Sequence, residues 1–190
     1  LFILFLVLGI VRMLIILVLS ILQRRKDKRT VLPPLAGSPL VSIIVPAYNE
    51  EVNAVGSLHN LLRCDYPNFN LIFVDDGSGD HTFDQVNEAF KNHTLVKVFS
   101  KPNGGKASAL NFGISHTDAE YVVCIDADTK LLPNAVSLMM RHFADEDAGA
   151  VAGNVKVGNE VNILTHWQSV EYISSQNIDR NAFAYFNGIT

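Results

Sequence analysis

Two aspartates separated by a single residue follow an apolar run in the second half of the chain. Asp126 and Asp128 flank Ala127 directly after residues 121–125. Alternate residues of an extended segment point the same way, so both carboxylates can face one site about 6–7 Å apart. Hard oxygen donors suit Mg²⁺ or Mn²⁺, which complete their shell with water and substrate phosphates. The pair predicts a metal site that serves a diphosphate, although an Asp-x-Asp unit alone is common.

A glycine-rich turn that ends in a lysine lies earlier in the chain. Gly104, Gly105 and Lys106 follow Asn103 at the end of another apolar run. Glycines let the backbone approach a ligand closely, and a helix N-terminus beside a lysine favours an anion. The turn matches neither the Walker nor the dinucleotide-binding pattern. We expect it to contact the diphosphate, and a plain strand-to-helix turn is the alternative.

Acidic and aromatic residues follow the first two apolar runs. Tyr48 and Glu50 come after the first run, and Asp75 and Asp76 come after the second. A carboxylate there can accept a hydrogen bond from a ring imide or a ribose hydroxyl, and Tyr48 can lie along the base. The same residue types also form turns and cap helices, so each cluster has an ordinary structural explanation. Together the clusters predict a nucleoside-diphosphate site.

Strands that alternate with helices would bring these clusters to one edge of a sheet. The predicted strands are 41–45, 71–74, 95–99 and 121–125, the predicted helices are about 50–63, 79–91, 104–115 and 133–144, and a further strand over 149–157 precedes a helical stretch to about residue 180. This alternation predicts an α/β fold with a mainly parallel sheet, whose ligands bind at the carboxyl ends of the strands.

The amino-terminal residues 1–22 are apolar except for Arg12. Twenty-two helical residues cover about 33 Å, the thickness of a bilayer core, and predict a transmembrane helix. Arg12 either contacts a partner in a helix bundle or snorkels. A signal peptide is the alternative, but its apolar region is shorter and its bases come first. Here five bases follow within residues 23–30, so the positive-inside rule predicts a cytoplasmic domain on the cell (inner or plasma) membrane.

Composition and charge exclude several classes of protein. The chain has 190 residues, of which 48% are hydrophobic and 18% charged, so it is not disordered and holds about one domain. Nine bases face 18 acids in residues 31–190, which argues against a nucleic-acid partner. Cys64 and Cys124 are too few for a disulfide framework, and the histidines lack close metal-ligand spacing. The predicted parts are a membrane helix at 1–22, a basic and proline-rich linker at 23–39, and one domain at 40–190.

Four ordered motifs resemble the family-two inverting glycosyltransferases with a GT-A fold. They are Val-Ser-Ile-Ile-Val-Pro-Ala-Tyr-Asn-Glu-Glu at 41–51, Val-Asp-Asp-Gly-Ser-Gly-Asp at 74–80, Asn-Gly-Gly-Lys-Ala-Ser-Ala-Leu-Asn at 103–111 and Asp-Ala-Asp-Thr at 126–129. Within that family, the membrane helix and the stretches 152–159 and 168–180 are similar to processive polysaccharide synthases. Synthases of poly-β-1,6-N-acetylglucosamine, chitin and hyaluronan are the most similar, over about residues 40–190.

The resemblance implies a UDP-sugar donor, Mg²⁺ or Mn²⁺, and an acceptor hydroxyl that attacks the sugar C1 with inversion. It implies that Asp75 or Asp76 contacts uridine, that Lys106 and Asp126 contact UDP, and that Asp126 and Asp128 hold the metal. Tyr48 and Glu50 are assigned to the donor as well. Gln176 is assigned to the acceptor side, on a helix whose polar face is otherwise an ordinary exposed surface.

Family members also carry a downstream acidic motif that supplies the general base and a Gln-x-x-Arg-Trp motif over the acceptor. Neither occurs here, where Leu-Thr-His precedes the only tryptophan, Trp167. We therefore expect no catalytic base in these residues and no activity from them alone.

The sequence hypothesis is the donor-binding part of a membrane glycosyltransferase that builds a β-linked amino-sugar polymer from UDP-N-acetylglucosamine. The expected partners are the donor, a polysaccharide acceptor, the lipid bilayer and accessory membrane subunits. A non-processive enzyme acting on a lipid phosphate carrier is one alternative. A catalytically silent nucleotide-sugar-binding subunit is the other, and the intact Lys106, Asp126 and Asp128 argue against it.

Overall fold

Short apolar segments pair side by side in the computed structural model, which describes residues 2–29, 37–145, 147–156, 158, 163–174 and 178–186. The strands of the described residues are β1 (Val41–Ala47), β2 (Phe69–Asp75), β3 (Val96–Ser100) and β4 (Tyr121–Cys124). All pair in parallel, in the order β3-β2-β1-β4. The predicted parallel α/β sheet is confirmed.

The middle of the sheet is apolar on both faces, as expected for parallel strands covered by helices on each side. Every residue of β1 is buried. Because successive side chains alternate between faces, Ile43 and Phe73 join one core cluster while Ile44 and Ile72 join another. The buried hydroxyl of Ser42 donates a 2.7 Å hydrogen bond to the side-chain oxygen of Asn70 on the neighbouring strand.

Helices cover the two faces of the sheet. They are α2 (Ala54–Leu61), α3 (Thr82–Phe90), α4 (Lys106–Ile114) and α5 (Ala135–Met140), which continues into a 3-10 turn at Arg141–Ala144. The core cluster on one face includes Leu58 of α2, Phe90 of α3 and Met140 of α5. Ala109 of α4 belongs to the cluster on the other face. Because the strands are parallel, each helix between two strands carries the chain back to the end of the sheet where the strands begin.

The helices begin later than the sequence predicts; hydrogen bonding explains the start of α2, and a backbone angle explains the start of α4. The carbonyl of Glu50 accepts the N–H groups of Asn53 at 3.0 Å and Ala54 at 2.9 Å, so the preceding residues form a turn. Gly105 has a φ of +83°, which lies outside the helical region, and α4 begins at the next residue, Lys106.

A glycine lets α4 lie close against the sheet. A Cβ atom at Gly113 would come 2.5 Å from Cγ2 of Ile44, which is closer than real side-chain contacts. The helix backbone therefore packs directly on β1 at this point.

The residues Pro34–Glu146 form one compact unit, and Leu1–Pro33 with Asp147–Thr190 form a second. The second unit contains α1 (Phe2–Arg29), α6 (Ile163–Ser174) and α7 (Arg180–Ala184). Helix α1 packs against α7, and Ser20, Gln23 and Ala182 are buried. By length and composition, Phe2–Lys26 is a candidate membrane span, a test that a signal sequence also passes.

The prediction of a strand over 149–157 is wrong for residues 149–156, the part of this stretch that the structure describes. Residues 149–156 form neither a strand nor a helix, and Val157 lies outside the described residues. A strand exists only with a hydrogen-bonded neighbour, and none of the described residues pairs with this stretch. Instead, the carbonyl of Gly153 accepts a 3.0 Å hydrogen bond from Nη1 of Arg180. The helix predicted to follow is present as α6.

Candidate functional site

The carboxyl ends of the parallel strands meet at one edge of the sheet. In the strand register Ala47 lies beside Asp75, and Asp75 lies beside Ser100. The loops that follow β1, β2, β3 and β4 therefore leave from neighbouring positions, where ligands bind in open α/β sheets.

An open pocket of about 220 Å³ lies at this edge. Its lining residues come from the end of β1 and the loop after it, the start of α4, and the loop after β4, and they are Pro46, Ala47, Tyr48, Glu50, Lys106, Asp126, Ala127 and Asp128. The structure thus brings five of the expected site residues to one pocket: Tyr48, Glu50, Lys106, Asp126 and Asp128. Asp75 and Asp76 lie at the end of β2 and do not line it.

The two aspartates after β4 expose their carboxylates while the residues between and before them are buried. Ala127 and Ile125 are buried, whereas Asp126 and Asp128 are exposed. The turn after β4 is closed by a 3.0 Å hydrogen bond from the N–H of Thr129 to the carbonyl of Asp126. Asp128 accepts a hydrogen bond from the Thr129 hydroxyl at 3.2 Å. Both carboxylates therefore remain accessible to a ligand.

Lys106 contributes the positive charge of the pocket. It is the first residue of α4, and its ammonium forms an ion pair with Asp126. The side chains of Lys106 and Asp126 are 62% and 53% exposed, so water screens this pair and its contribution to stability is small. Because the pair is exposed, the ammonium is accessible to an incoming anion.

The glycine-rich turn binds a carboxylate of the protein itself. Asp76 is buried, and its Oδ2 accepts the N–H of Gly105 at 2.7 Å. The N–H of Gly104 is 3.1 Å from Oδ1 and 3.2 Å from Oδ2. Nζ of Lys101 donates to Oδ1 at 2.5 Å. The turn was expected to contact a diphosphate; in the structure the amides of Gly104 and Gly105 bind Asp76, and Lys106 lines the pocket.

The environment of Asp76 favours its charged form. Burial raises the pKa of its carboxyl, but the hydrogen bonds from Lys101, Gly104 and Gly105 and the charge of Lys101 lower that pKa by more. The net pKa therefore lies below the ordinary value for an aspartate, and Asp76 is an anion at neutral pH.

A glycine permits the close approach of the loops after β2 and β3. Gly77 has a φ of +72°, and a Cβ atom there would lie 2.7 Å from the backbone nitrogen of Asn103. Any other residue would be strained and would push this loop away. The glycine after the two aspartates thus serves the contact between Asp76 and the turn.

Asp75 has one carboxylate oxygen without a partner. Its Oδ2 accepts the hydroxyl of Ser100 at 3.0 Å and the N–H of Ser78 at 3.3 Å. Its Oδ1 is buried and has no hydrogen-bond partner among the described residues. Since buried polar atoms are normally paired, this oxygen is a candidate acceptor for a ligand at the strand ends.

The loops after β1 and β2 are joined by a second set of polar contacts. Asp80 accepts the N–H of Glu51 at 3.2 Å and the N–H of Thr82 at 3.0 Å. The Thr82 hydroxyl also donates to Asp80, and this bond is the main reason that the pKa of Asp80 is lowered. Glu50 donates its N–H to the Thr82 hydroxyl at 2.8 Å. These contacts fix the backbone from which Tyr48 and Glu50 enter the pocket.

Several residues that shape the site were not expected from the sequence. Asn49 adopts a φ of +56°, and its side chain accepts the N–H of Gly79 at 2.8 Å. Lys101 is the partner of Asp76. The sequence does offer a signal for Asn49, because asparagine tolerates the left-handed backbone region better than most residues. It offers none for Lys101, because the contact depends on how two loops meet.

The remaining predictions concern the acceptor side and the cysteines. Gln176, assigned to the acceptor side, lies outside the described residues. Cys64 and Cys124 are free thiols, and burial raises the pKa of both. Raised thiol pKa values indicate unreactive cysteines.

Comparison with protein families gives a match over most of the chain. A family model described as Glycosyl transferase family 2 matches residues 42–189. The chain is 38% identical over 135 residues to a poly-beta-1,6-N-acetyl-D-glucosamine synthase of Staphylococcus epidermidis, covering 70% of this chain and 33% of that protein. It is 35% identical to the synthase of the same name from Staphylococcus aureus strain COL, with the same coverage. The chain thus spans about a third of the length of the curated relatives it matches.

A solved structure has the same fold. The mannosyltransferase PcManGT from Pyrobaculum calidifontis, in complex with GDP-Man and Mn²⁺, matches with a TM-score of 0.65 and 30% sequence identity. The match covers 75% of this chain and 43% of that one. Together with the parallel sheet, it confirms the predicted GT-A fold.

Proposed function

Because the chain belongs to glycosyl transferase family 2, we propose that it binds the donor in a membrane-bound inverting glycosyltransferase. The observation that carries the proposal is the pocket at the strand ends, where Lys106, Asp126 and Asp128 meet. One ammonium and two exposed carboxylates suit a nucleoside diphosphate with a divalent cation, because the carboxylates would hold the cation and the cation would neutralise phosphate charge. The ammonium adds a charge-assisted contact to the diphosphate.

Mg²⁺ or Mn²⁺ is the cofactor, and Asp126 and Asp128 are its protein ligands. The donor set fits, since both side chains supply hard oxygens and Mg²⁺ usually takes only one or two carboxylates. Among the described residues no group of three His, Cys, Asp or Glu side chains is placed to hold a metal, and water and diphosphate oxygens would be needed beside the two carboxylates. The Mn²⁺ in the mannosyltransferase complex supports this role. When bound, the cation supplies Lewis-acid stabilisation of the leaving diphosphate.

Of Asp75 and Asp76, which both lie at the end of β2 outside the pocket lining, this proposal assigns Asp75 to the uracil of the donor. Both oxygens of Asp76 already accept hydrogen bonds from Lys101, Gly104 and Gly105. Asp75 retains a buried oxygen without a partner among the described residues. A carboxylate oxygen is the natural acceptor for the imide N–H of uracil, and Tyr48, which is 53% exposed at the pocket, lies along the nucleoside.

The donor is UDP-N-acetylglucosamine, and the acceptor is the growing end of a β-linked polysaccharide. The names of the staphylococcal relatives support this assignment. The acceptor hydroxyl attacks C1 of the sugar from the face opposite the diphosphate, which inverts that centre. The residues of this chain bind and orient the donor and hold its phosphates. Gln176, which lies outside the described residues, is assigned to the acceptor side.

The chain is anchored in the cell membrane by α1, with the donor site in the cytoplasm. Phe2–Lys26 is long and apolar enough for a membrane span. Arg24, Arg25 and Lys26 follow its apolar part and favour a cytoplasmic position for what comes next. Donor supply from the cytoplasm, with accessory membrane subunits at the export step, fits the synthesis of an exopolysaccharide.

The test is release of UDP from UDP-N-acetylglucosamine by the full-length protein in membranes or detergent, with and without Mn²⁺ or Mg²⁺. We expect metal-dependent UDP release together with polymer, and loss of both in Asp128→Asn. Asp118→Asn is the matched control, because Asp118 is an exposed aspartate of the same unit outside the pocket. Metal-dependent UDP binding without turnover of any UDP-sugar would instead identify a silent nucleotide-sugar-binding subunit.

A further inference from the structure

Asn60 on α2 pairs with the backbone of a residue 71 positions later in the chain. Its Nδ2 donates to the carbonyl of Leu131 at 3.2 Å. Its Oδ1 accepts the N–H of Leu131 at 2.7 Å. One side-chain amide thus satisfies both backbone groups of one loop residue, as a neighbouring strand would.

Leu131 lies in the loop that carries both carboxylates of the pocket. The loop runs from the end of β4 at Cys124 to the start of α5 at Ala135. At its start, the N–H of Ile125 donates to the carbonyl of Ile44 at 3.1 Å. At its far end, Asn60 holds Leu131. Asp126 and Asp128 lie between these two fixed points, and Asp128 is three residues before Leu131.

The contact is not explained by the stability of α2. Asparagine forms helices less readily than alanine, and Asn60 is the half-buried residue between the exposed His59 and the buried core residue Leu61. A residue that is unfavourable for its own helix is explained where another interaction compensates for it. In α2 that interaction is the pair of hydrogen bonds to Leu131.

The other contacts at this end of the loop lie further from the carboxylates. The N–H of Asp65 donates to the carbonyl of Pro133 at 2.9 Å. The hydroxyl of Ser137 donates to the carboxylate of Asp65. These bonds fix the entry to α5, so removal of Asn60 frees the segment next to Asp128 while the rest of the connection stays attached.

We propose that Asn60 is a positioning residue for the metal-diphosphate site, acting through Leu131 to hold Asp128 in the geometry that the cation requires. The proposal rests on the function proposed above. Carboxylates on a mobile loop bind a cation weakly because each must be ordered at the moment of binding. Residues that orient metal ligands typically change metal affinity about 10–100-fold when they are replaced.

The test compares Asn60→Ala with wild type in the full-length protein, using Mn²⁺ and UDP as probes. Free Mn²⁺ is measured by electron paramagnetic resonance while Mn²⁺ is titrated into protein with saturating UDP. We expect Asn60→Ala to weaken Mn²⁺ binding about tenfold or more and to leave metal-free UDP binding within about twofold. The concentration of Mn²⁺ for half-maximal UDP release rises in parallel, while kcat at saturating Mn²⁺ is retained.

Two further variants separate positioning from folding. Asn60→Asp keeps the acceptor for the Leu131 N–H but loses the donor to its carbonyl, and we expect an intermediate Mn²⁺ affinity. Asn87→Ala removes an exposed asparagine from α3 and should match wild type. Hydrogen exchange at Leu131 should be faster in Asn60→Ala and unchanged in Asn87→Ala.

The outcomes distinguish this proposal from the proposed function. If wild type binds UDP in a Mn²⁺-dependent manner and Asn60→Ala does so with equal affinity, the role of Asn60 is disproved and the function stands. A parallel loss of metal-free UDP binding and kcat in Asn60→Ala would show a purely structural role and also overturn the proposal. Wild type without Mn²⁺-dependent UDP binding would overturn both.

Discussion

The ammonium of Lys106 pairs with the carboxylate of Asp126 at the mouth of the pocket, and more than half of each side chain is exposed to solvent. An exposed pair of this kind contributes about 0–1 kcal/mol to stability. Because the Lys106–Asp126 pair adds so little to stability, its position beside Asp128 is better explained by a role in ligand binding.

Replacement of Lys106 by glutamine should reduce UDP affinity without reducing stability. A lost charge-assisted hydrogen bond costs about 1.5–3 kcal/mol, which corresponds to roughly 10–100-fold in the dissociation constant. Isothermal titration calorimetry with UDP and Mn²⁺ measures the affinity, and the melting temperature should stay near that of wild type. Lys97→Gln, on β3 outside the pocket, is the control. Unchanged UDP affinity in Lys106→Gln would remove the lysine from the site.

Replacement of Asp128 by asparagine should abolish the metal dependence of UDP binding. Asparagine keeps the shape of the side chain but removes a charge that a divalent cation requires. In wild type, Mn²⁺ should increase UDP affinity, and in Asp128→Asn the affinities with and without Mn²⁺ should converge. Asp118→Asn should retain the full effect of the metal. A normal Mn²⁺ response in Asp128→Asn would assign the cation to other ligands.

Replacement of Asp76 by asparagine should destabilise the protein in a pH-dependent way. The folded-state pKa of Asp76 is lowered, so its contribution to stability is fully present above the unfolded-state pKa and is lost as the pH falls through the folded-state value. We expect a cost of about 3–5 kcal/mol at neutral pH, because Lys101, whose side chain is 13% exposed, would lose its charged partner. Urea denaturation of wild type and Asp76→Asn from pH 7 to pH 3 measures it.

The difference between the two proteins in the free energy of unfolding should shrink below about pH 4. The double variant Asp76→Asn with Lys101→Met should recover part of the loss at pH 7, since it removes the unpaired charge. A difference that stays constant between pH 7 and pH 3 would contradict the assignment of the effect to the Asp76 carboxylate.

Two glycine-to-alanine substitutions in helices should change stability in opposite directions. In Gly113→Ala the new methyl group would meet Ile44 at 2.5 Å, and overpacking of this kind costs about 1–3 kcal/mol. In Gly56→Ala the new methyl group meets nothing within 4 Å, and the loss of glycine flexibility from α2 should add about 0.5–1 kcal/mol. Thermal denaturation of both variants gives the comparison. Equal effects would show that α4 does not pack on β1 as closely as described.

The sheet could be predicted because buried parallel strands are continuous apolar runs, and each of the four predicted runs became a strand. The predicted strand boundaries are wrong where a polar residue is part of a strand. Strand β2 begins at Phe69 instead of Leu71, because Asn70 is paired with Ser42 on β1 and is tolerated inside the sheet. At 149–156 the alternating apolar pattern predicted a strand that does not form. The pattern alone cannot supply the neighbouring strand with which it would have to pair.

The candidate site was predictable to the extent that it follows from strand ends. Tyr48, Glu50, Lys106, Asp126 and Asp128 line one pocket because parallel strands deliver their following residues to one edge. The contacts between loops could not be predicted. The Lys101–Asp76 pair and the Asn60–Leu131 pair join residues 25 and 71 positions apart, and sequence spacing does not state which loops come within hydrogen-bond distance.

The buried carboxylate of Asp76 at the start of α4 has a consequence for how donor preference can change over evolution. Because it occupies the main-chain amides of Gly104 and Gly105, the proposed function leaves contact with donor phosphates to side chains at the pocket. Side chains can be exchanged one at a time, whereas a phosphate-binding backbone loop changes only with its whole conformation. The fold can thus keep this loop fixed while substitutions around the pocket adapt it to different nucleotide-sugars.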